Sequence, residues 1–167
     1  MMKAFLAALL AAIALTGCKT QPLPLQEAEP QPNAPLQEII DHLGSQFEVE
    51  LPVPLDQQLL SDLLGLKEED LEEYAGQVSM SMVSADNLIV IRPKPEKERQ
   101  VEKALTKRLE QGQLAFEHYL PDQYEKARAG VVTARGRCIF LVIAGRRDTD
   151  PAAEAALAQE IIDDFFQ

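Results

Sequence analysis

Cys138-Ile139-Phe140-Leu141-Val142-Ile143 is apolar at every position. Successive side chains of a strand point to opposite faces, so a strand apolar on both must be packed on both. Its backbone must then be paired along both edges, which makes it a central strand. Val131-Val132-Thr133-Ala134 precedes it across a turn at Arg135-Gly136, and the two form a hairpin.

The other elements follow from period. Leu36, Ile39, Ile40 and Leu43 recur at helical spacing, with Gly44 as a left-handed stop. Phe47 to Pro54 reads as irregular. Leu55, Leu59, Leu60, Leu63 and Leu64 give a second helix closed at Gly65, and Lys67 to Tyr74 a short third one with carboxylates in its first turn. In Gln77 to Val83 the apolar side chains alternate, as on a half-buried strand with Met80 and Met82 on its core face. Ala85-Asp86-Asn87 turns the chain into a second strand, Asn87 to Ile91. A long helix from Glu96 to Tyr119 carries Val101, Leu105, Leu109, Phe116 and Tyr119 on one stripe, and Asp122 to Ala129 adds a turn or two stopped by Gly130. Asp150 caps a last helix with Pro151 at its first position, and its Leu157, Ile161 and Phe165 face the core. The expected fold is a single α+β domain. Two hairpins form a four-stranded antiparallel sheet, packed with a long central helix, N-terminal helices and a C-terminal helix.

Ahead of this domain, Ala4 to Leu15 is an apolar run of about 12 residues behind Lys3, too short to span a bilayer, which takes about 20. It ends in Leu15-Thr16-Gly17-Cys18, the layout of an export signal cleaved before a cysteine. These four residues resemble the bacterial lipoprotein box. The resemblance implies a diacylglyceryl group on the Cys18 sulfur and a protein anchored by lipid on the outer, extracytoplasmic face of the cell membrane. Residues 1–17 are then the signal peptide. Residues 18–35, with prolines at 22, 24, 30, 32 and 35, are a tether in which neither helix nor ladder can form. At about 3.1 Å per residue in polyproline geometry it reaches up to roughly 50 Å. Residues 36–167 are the globular domain.

The full chain has a formal charge of −11, and removal of residues 1–17 takes away Lys3 alone, leaving −12. Such a surface repels nucleic acid and anionic headgroups, and no basic cluster offsets it. Nucleic acid is therefore excluded as a partner. A membrane held through the lipid, and an envelope protein or glycan machinery, are the partners that fit.

Three stretches carry a likeness to a known family. They are Glu72-Glu73-Tyr74 to Val83-Ser84-Ala85-Asp86, the helix with Arg108-Leu109-Glu110-Gln111, and Phe116-Glu117-His118-Tyr119-Leu120-Pro121-Asp122-Gln123-Tyr124 with the hairpin through Gly136. The chain resembles the domain of unknown function 4358 family, small surface lipoproteins chiefly of Gram-positive anaerobes. The resemblance supplies no catalytic residues. It implies a setting beside membrane acyltransferases of surface polysaccharide.

Candidate chemistry is sparse. His42 and His118 have no second histidine, cysteine or carboxylate at metal-ligand spacing, so each reads as a surface or hydrogen-bonded residue. Met80 and Met82 are two thioethers without a third ligand, better suited to a core than to copper(I). Cys138 in its apolar run should be buried, inert and raised in pKa. Glu68, Glu69, Asp70, Glu72 and Glu73 lack the alternating ligands and central glycine of a calcium loop, as does Asp148-Thr149-Asp150, so no metal is expected. Arg135/Arg137 and Arg146/Arg147 flank one strand and belong at its opposite ends. Arg146 and Arg147 are binding candidates. A concave pocket gathering polar side chains distant in sequence, for example His118, Tyr119 and Tyr124 with a carboxylate, would be the mark of an enzyme, whereas a flat polar sheet face rimmed by apolar residues would mark a binding domain. No phosphate loop or Gly-x-Ser-x-Gly occurs, and no cofactor is expected beyond the lipid. The leading expectation is a non-enzymatic, tethered binding domain of the cell envelope. An accessory factor or enzyme in surface-polysaccharide acyl modification is the alternative.

Overall fold

The computed structural model describes residues 29–167, so the signal peptide, Cys18 and the first part of the tether lie outside the described residues. The fold is α+β around one antiparallel sheet, with five strands where four were expected. In chain order the elements are α1 (Leu36–Phe47), β1 (Pro52–Pro54), α2 (Gln57–Leu64), β2 (Leu71–Ser79), β3 (Asn87–Pro93), α3 (Glu98–Phe116), α4 (Pro121–Ala129), β4 (Val131–Arg135), β5 (Cys138–Ile143) and α5 (Pro151–Asp164). The strands lie in the order β1-β2-β3-β5-β4.

Two hairpins joined edge to edge make the sheet. β2 pairs with β3 and β4 with β5, and β3 and β5 meet with Val90 opposite Phe140. Every residue of β5 is buried, as its composition demands, because both its edges are paired and both its faces are packed. On one face α2, α3 and α4 cover Ile89, Ile91, Leu141 and Ile143 with Leu60, Val101, Leu105 and Ala127. On the other, α1 and α5 cover Leu88, Val90, Phe140 and Val142 with Leu36, Ile39, Ile40, Leu43, Ala158 and Ile162. Neither face of the sheet is left open, so the flat polar face that would have marked a binding domain is taken up by helices.

The fifth strand, β1, lay in the stretch read as irregular. Its Val53 sits between two prolines, which cannot donate to a ladder, and so β1 pairs only with β2 at the sheet edge. The helix expected over Lys67 to Tyr74 is one 3-10 turn, Glu68–Asp70, after which the chain extends as β2. The carboxylates read as its first turn, Glu68, Glu69 and Asp70, make up that 3-10 turn, where Asp70 pairs with Lys97 at 2.7 Å. Glu73 and Glu72 at the start of β2 pair with Arg92 of β3 and with Arg137 of the β4–β5 turn, each at 2.9 Å. α1 runs on through Gly44 and ends at Glu48, whose positive φ of 51° supplies the left-handed cap. At Gly44 the helix comes close to β2, and a Cβ there would displace the end of the Gln77 side chain.

The strand expected to run to Val83 stops at Ser79. Serine hydroxyls take over the backbone: Ser79 accepts from the Ser81 N–H at 3.1 Å, Ser81 from Val83 at 3.2 Å and Ser84 from Asp86 at 3.2 Å. Met80 and Met82, expected in the core, are therefore in solvent, 56% and 87% exposed. On the last helix Ala155, Ala158 and Ile162 form the buried stripe, with Leu157, Ile161 and Phe165 packed half-buried beside it. Asp150 caps that helix, accepting from the Ala152 N–H at 3.1 Å.

The residues just before α1 are tied to the domain. The Asn33 N–H donates to the Phe165 carbonyl at 2.8 Å, and the Leu36 N–H to Glu73 Oε1 at 3.1 Å. Pro30 lies so close to the β4–β5 turn that Gly136, at φ 51°, has no room for a side chain. The chain thus joins the domain at the end of the sheet where β5 begins. Among the described residues no helix is long and apolar enough to cross a membrane.

Candidate functional site

At the other end of the sheet, where β5 stops, the loops enclose a groove of about 920 Å³. The segment after α1 contributes Glu48 and Glu50, the β2–β3 loop Val83 and Asp86, and α4 with its approach Leu120, Asp122, Gln123 and Lys126. Arg146, Arg147 and Asp148 follow β5 along the remaining wall.

Asp86 is the hub. It is 2% exposed, and three groups from different parts of the chain bond its carboxylate. Lys126 Nζ approaches Oδ1 at 2.8 Å, while the Ser84 hydroxyl donates to Oδ2 at 2.7 Å and the Glu50 N–H at 3.2 Å. The Ala85 N–H next to it donates to Gln123 Oε1 at 3.1 Å. Asn87 Nδ2 donates to the Ala85 carbonyl at 2.9 Å, and its Oδ1 accepts from Arg108 Nε at 3.0 Å. Burial at this contact pulls the Arg108 guanidinium below its usual pKa. Ser84-Ala85-Asp86, Arg108 and Gln123, drawn from three stretches that carry the family resemblance, thus meet in one hydrogen-bonded cluster beneath the groove.

The groove wall is acidic. Six carboxylates (Glu48, Glu50, Asp86, Asp122, Glu125 and Asp148) stand against Lys126, Arg146 and Arg147. Lys126 is spent on Asp86. Arg146 is spent on Glu154 of α5, which it meets at 2.6 Å through Nη2 and 3.0 Å through Nε. The hydrogen-bonded guanidinium holds the Glu154 carboxyl below the usual glutamate range against the opposing effect of burial. Arg147 lines the groove and, among the described residues, has no ion pair. A hydrogen bond from Gln123 Nε2 at 2.9 Å likewise lowers the Asp122 carboxyl.

The other sequence candidates do not gather here. His118 is 91% exposed at the side chain and faces only its neighbour Glu117, at 3.7 Å. Tyr119 is exposed, and Tyr124 packs against the α2–α3–α4 core with the Arg128 guanidinium 5.7 Å above its ring. His42 is exposed, edge-on to Phe165 at 5.8 Å. Arg135 and Arg137, at the opposite end of β5, are taken by Asp163 and Glu72. Cys138 is fully buried, and burial pushes its thiol pKa up. Its surroundings are less apolar than its own strand: Arg92 of β3 lies beside the thiol and partly offsets the burial. Among the described residues no group of three or more histidines, cysteines and carboxylates is placed to hold a metal ion.

Asp86, Ser84, Lys126 and Gln123 were not singled out by sequence reasoning as a site. Ser84-Ala85-Asp86 read as a turn, and only the fold shows that Lys126, forty residues away, is its partner.

The family model Domain of unknown function (DUF4358) matches residues 45–144. The chain belongs to this family. The match takes in all five strands with α2, α3 and α4, and leaves most of α1, all of α5 and the Arg146–Glu154 wall outside it. No curated protein and no solved structure matches the chain.

Proposed function

We propose that this DUF4358 protein is an extracytoplasmic lipoprotein, held to the outer face of the cell membrane by a diacylglyceryl group on Cys18, whose domain binds an envelope protein or glycan component in the groove. The observation that carries this reading is the groove itself, a concave polar surface resting on the cluster where three resemblance stretches meet. Its buried groups bond one another rather than standing as nucleophile and base. The Asp86 carboxylate that receives the Ser84 hydroxyl is also taken up by the Lys126 ammonium and the Glu50 N–H. Arg147 on the rim, without an ion pair among the described residues, is placed to meet a ligand.

Direction supports the same reading. The chain enters the domain beside Gly136, and the groove opens beyond Ile143, about 20 Å further along β5 at 3.3 Å per residue. A domain tethered from its N-terminal side presents this groove away from the membrane.

The test is co-isolation of the lipoprotein from its own membranes, comparing the natural chain with an Asp122→Lys/Arg147→Glu variant that reverses two wall charges and leaves the Asp86 cluster intact. A partner retained by the natural chain and lost from the folded variant supports groove binding. Equal retention contradicts it. A role in surface-polysaccharide acyl modification is favoured by one feature, the buried Ser84 hydroxyl 2.7 Å from the groove-lining Asp86. That reading requires Ser84→Ala to abolish acylation in a domain that stays folded.

A further inference from the structure

Four apolar side chains stand in water at one corner of the groove. Leu51 is 68% and Val83 45% exposed, beside Met80 and Met82. They are neighbours in space. Pro52 pairs with Ser79 at the end of the β1–β2 ladder, which brings the flanking Leu51 and Met80 close together, and Ser81 between the methionines donates to Glu50 at 3.4 Å. Val83 itself lines the groove. Scattered apolar residues on a surface need no explanation, but a cluster on the lip of a concavity marks an interaction site. Leu51 moreover holds a φ of 46°, a left-handed conformation that side chains disfavour, and it does so with its side chain in solvent. Methionine suits such a surface, since its unbranched thioether adapts to irregular apolar partners.

The charge around this corner selects what covers it. Glu48, Glu50 and Asp122 on the adjoining walls repel anionic headgroups, and a second copy would set one acidic rim against another. We infer that the corner formed by Leu51, Met80, Met82 and Val83 docks a protein partner that offers an apolar pocket rimmed by lysine or arginine. The inference rests on the reading of the chain as a tethered binding domain and adds the partner's chemistry to it.

The test places a photo-crosslinking amino acid at Met82 of the full chain in intact host cells, with the same probe at the exposed Lys103 as reference. The expected result is a protein adduct at least five-fold stronger than from Lys103. Its mapped site on the partner is apolar and flanked by lysine or arginine, and its yield falls at least five-fold when Glu50→Lys is introduced. Adducts chiefly with phospholipid or with a second copy of the chain overturn the inference, as does a yield no higher than from Lys103. A protein adduct indifferent to Glu50→Lys overturns it as well. Should the Met82 probe fail while the Asp122→Lys/Arg147→Glu variant still loses its co-isolated partner, the corner is refuted and groove binding stands.

Discussion

At the scale of single residues, Asp86 and Cys138 show how little of a side chain's role lies in its immediate neighbours along the chain. Asp86 looks like a turn residue, yet it is a buried carboxylate that fixes the Glu50 backbone, the Ser84 hydroxyl and the Lys126 ammonium at once. Asp86→Ala strands Lys126 in a largely buried position, and removing one partner of a buried pair is costly, so urea unfolding should show a loss of about 3 kcal/mol. A loss below about 1 kcal/mol would mean that the cluster is not the groove's foundation. Cys138 is legible as a buried thiol from its apolar run, and native protein should react with maleimide only after unfolding. The run does not disclose Arg92, whose buried Nε has no hydrogen-bond partner among the described residues. A hydroxyl in place of the thiol has the Arg92 guanidinium beside it as a donor. Cys138→Ser should therefore cost under about 1 kcal/mol, less than an unpartnered hydroxyl in an apolar site would. A cost of 2 kcal/mol or more on the order of a buried unpaired hydroxyl would show that Arg92 does not reach it.

Among the elements, α5 offers the clearest pH dependence. Arg146 holds the Glu154 carboxyl below its usual pKa, so the folded state releases the proton more readily than the unfolded chain. Stability from this pair is present above the unfolded carboxyl value of about 4.3 and is lost as the pH falls through the lower, folded value. Glu154→Gln should lower Tm by roughly 3–6 °C at neutral pH, and the gap from the natural chain should close in acid. A gap that persists unchanged at low pH would mean that packing, not charge, accounts for it. The same element shows what a sequence discloses: Asp150 and Pro151 mark the start of α5 through their own backbone chemistry, and that start is where the structure has it. β5 is equally legible, because apolar residues on both faces admit only a central strand. β1 is not, since three residues with two prolines carry no periodicity and become a strand only when β2 is beside them. The acidic turn ahead of β2 imitates a helix start, because the partners of the following Glu73 and Glu72, Arg92 of β3 and Arg137 of the β4–β5 turn, lie 19 and 65 positions away. Met80 and Met82 keep the alternation of a strand but fall in a loop, where serine hydroxyls satisfy the backbone in place of a neighbouring strand. The groove was illegible for the same reason: its walls come from separate stretches and acquire a shape only when the sheet aligns them.

For the whole molecule, sequence and fold divide the labour between the two ends of the sheet. The N-terminal segment arrives at Gly136 and is tied to Phe165 and Glu73, while the acidic groove and its apolar corner occupy the far end. The family match to residues 45–144 covers the sheet and the helices of one face, and this chain completes the other face with α1 and α5. In the account proposed here the domain is a binding module whose location is set by lipid at Cys18 and whose fold is independent of it, because the packing that holds the domain begins at α1. The most direct measurement is fractionation of cells carrying Cys18→Ala. The natural chain should stay with salt-washed membranes. The variant should leave them entirely while its domain keeps an unchanged Tm. A variant that remains membrane-bound after the salt wash would contradict the account.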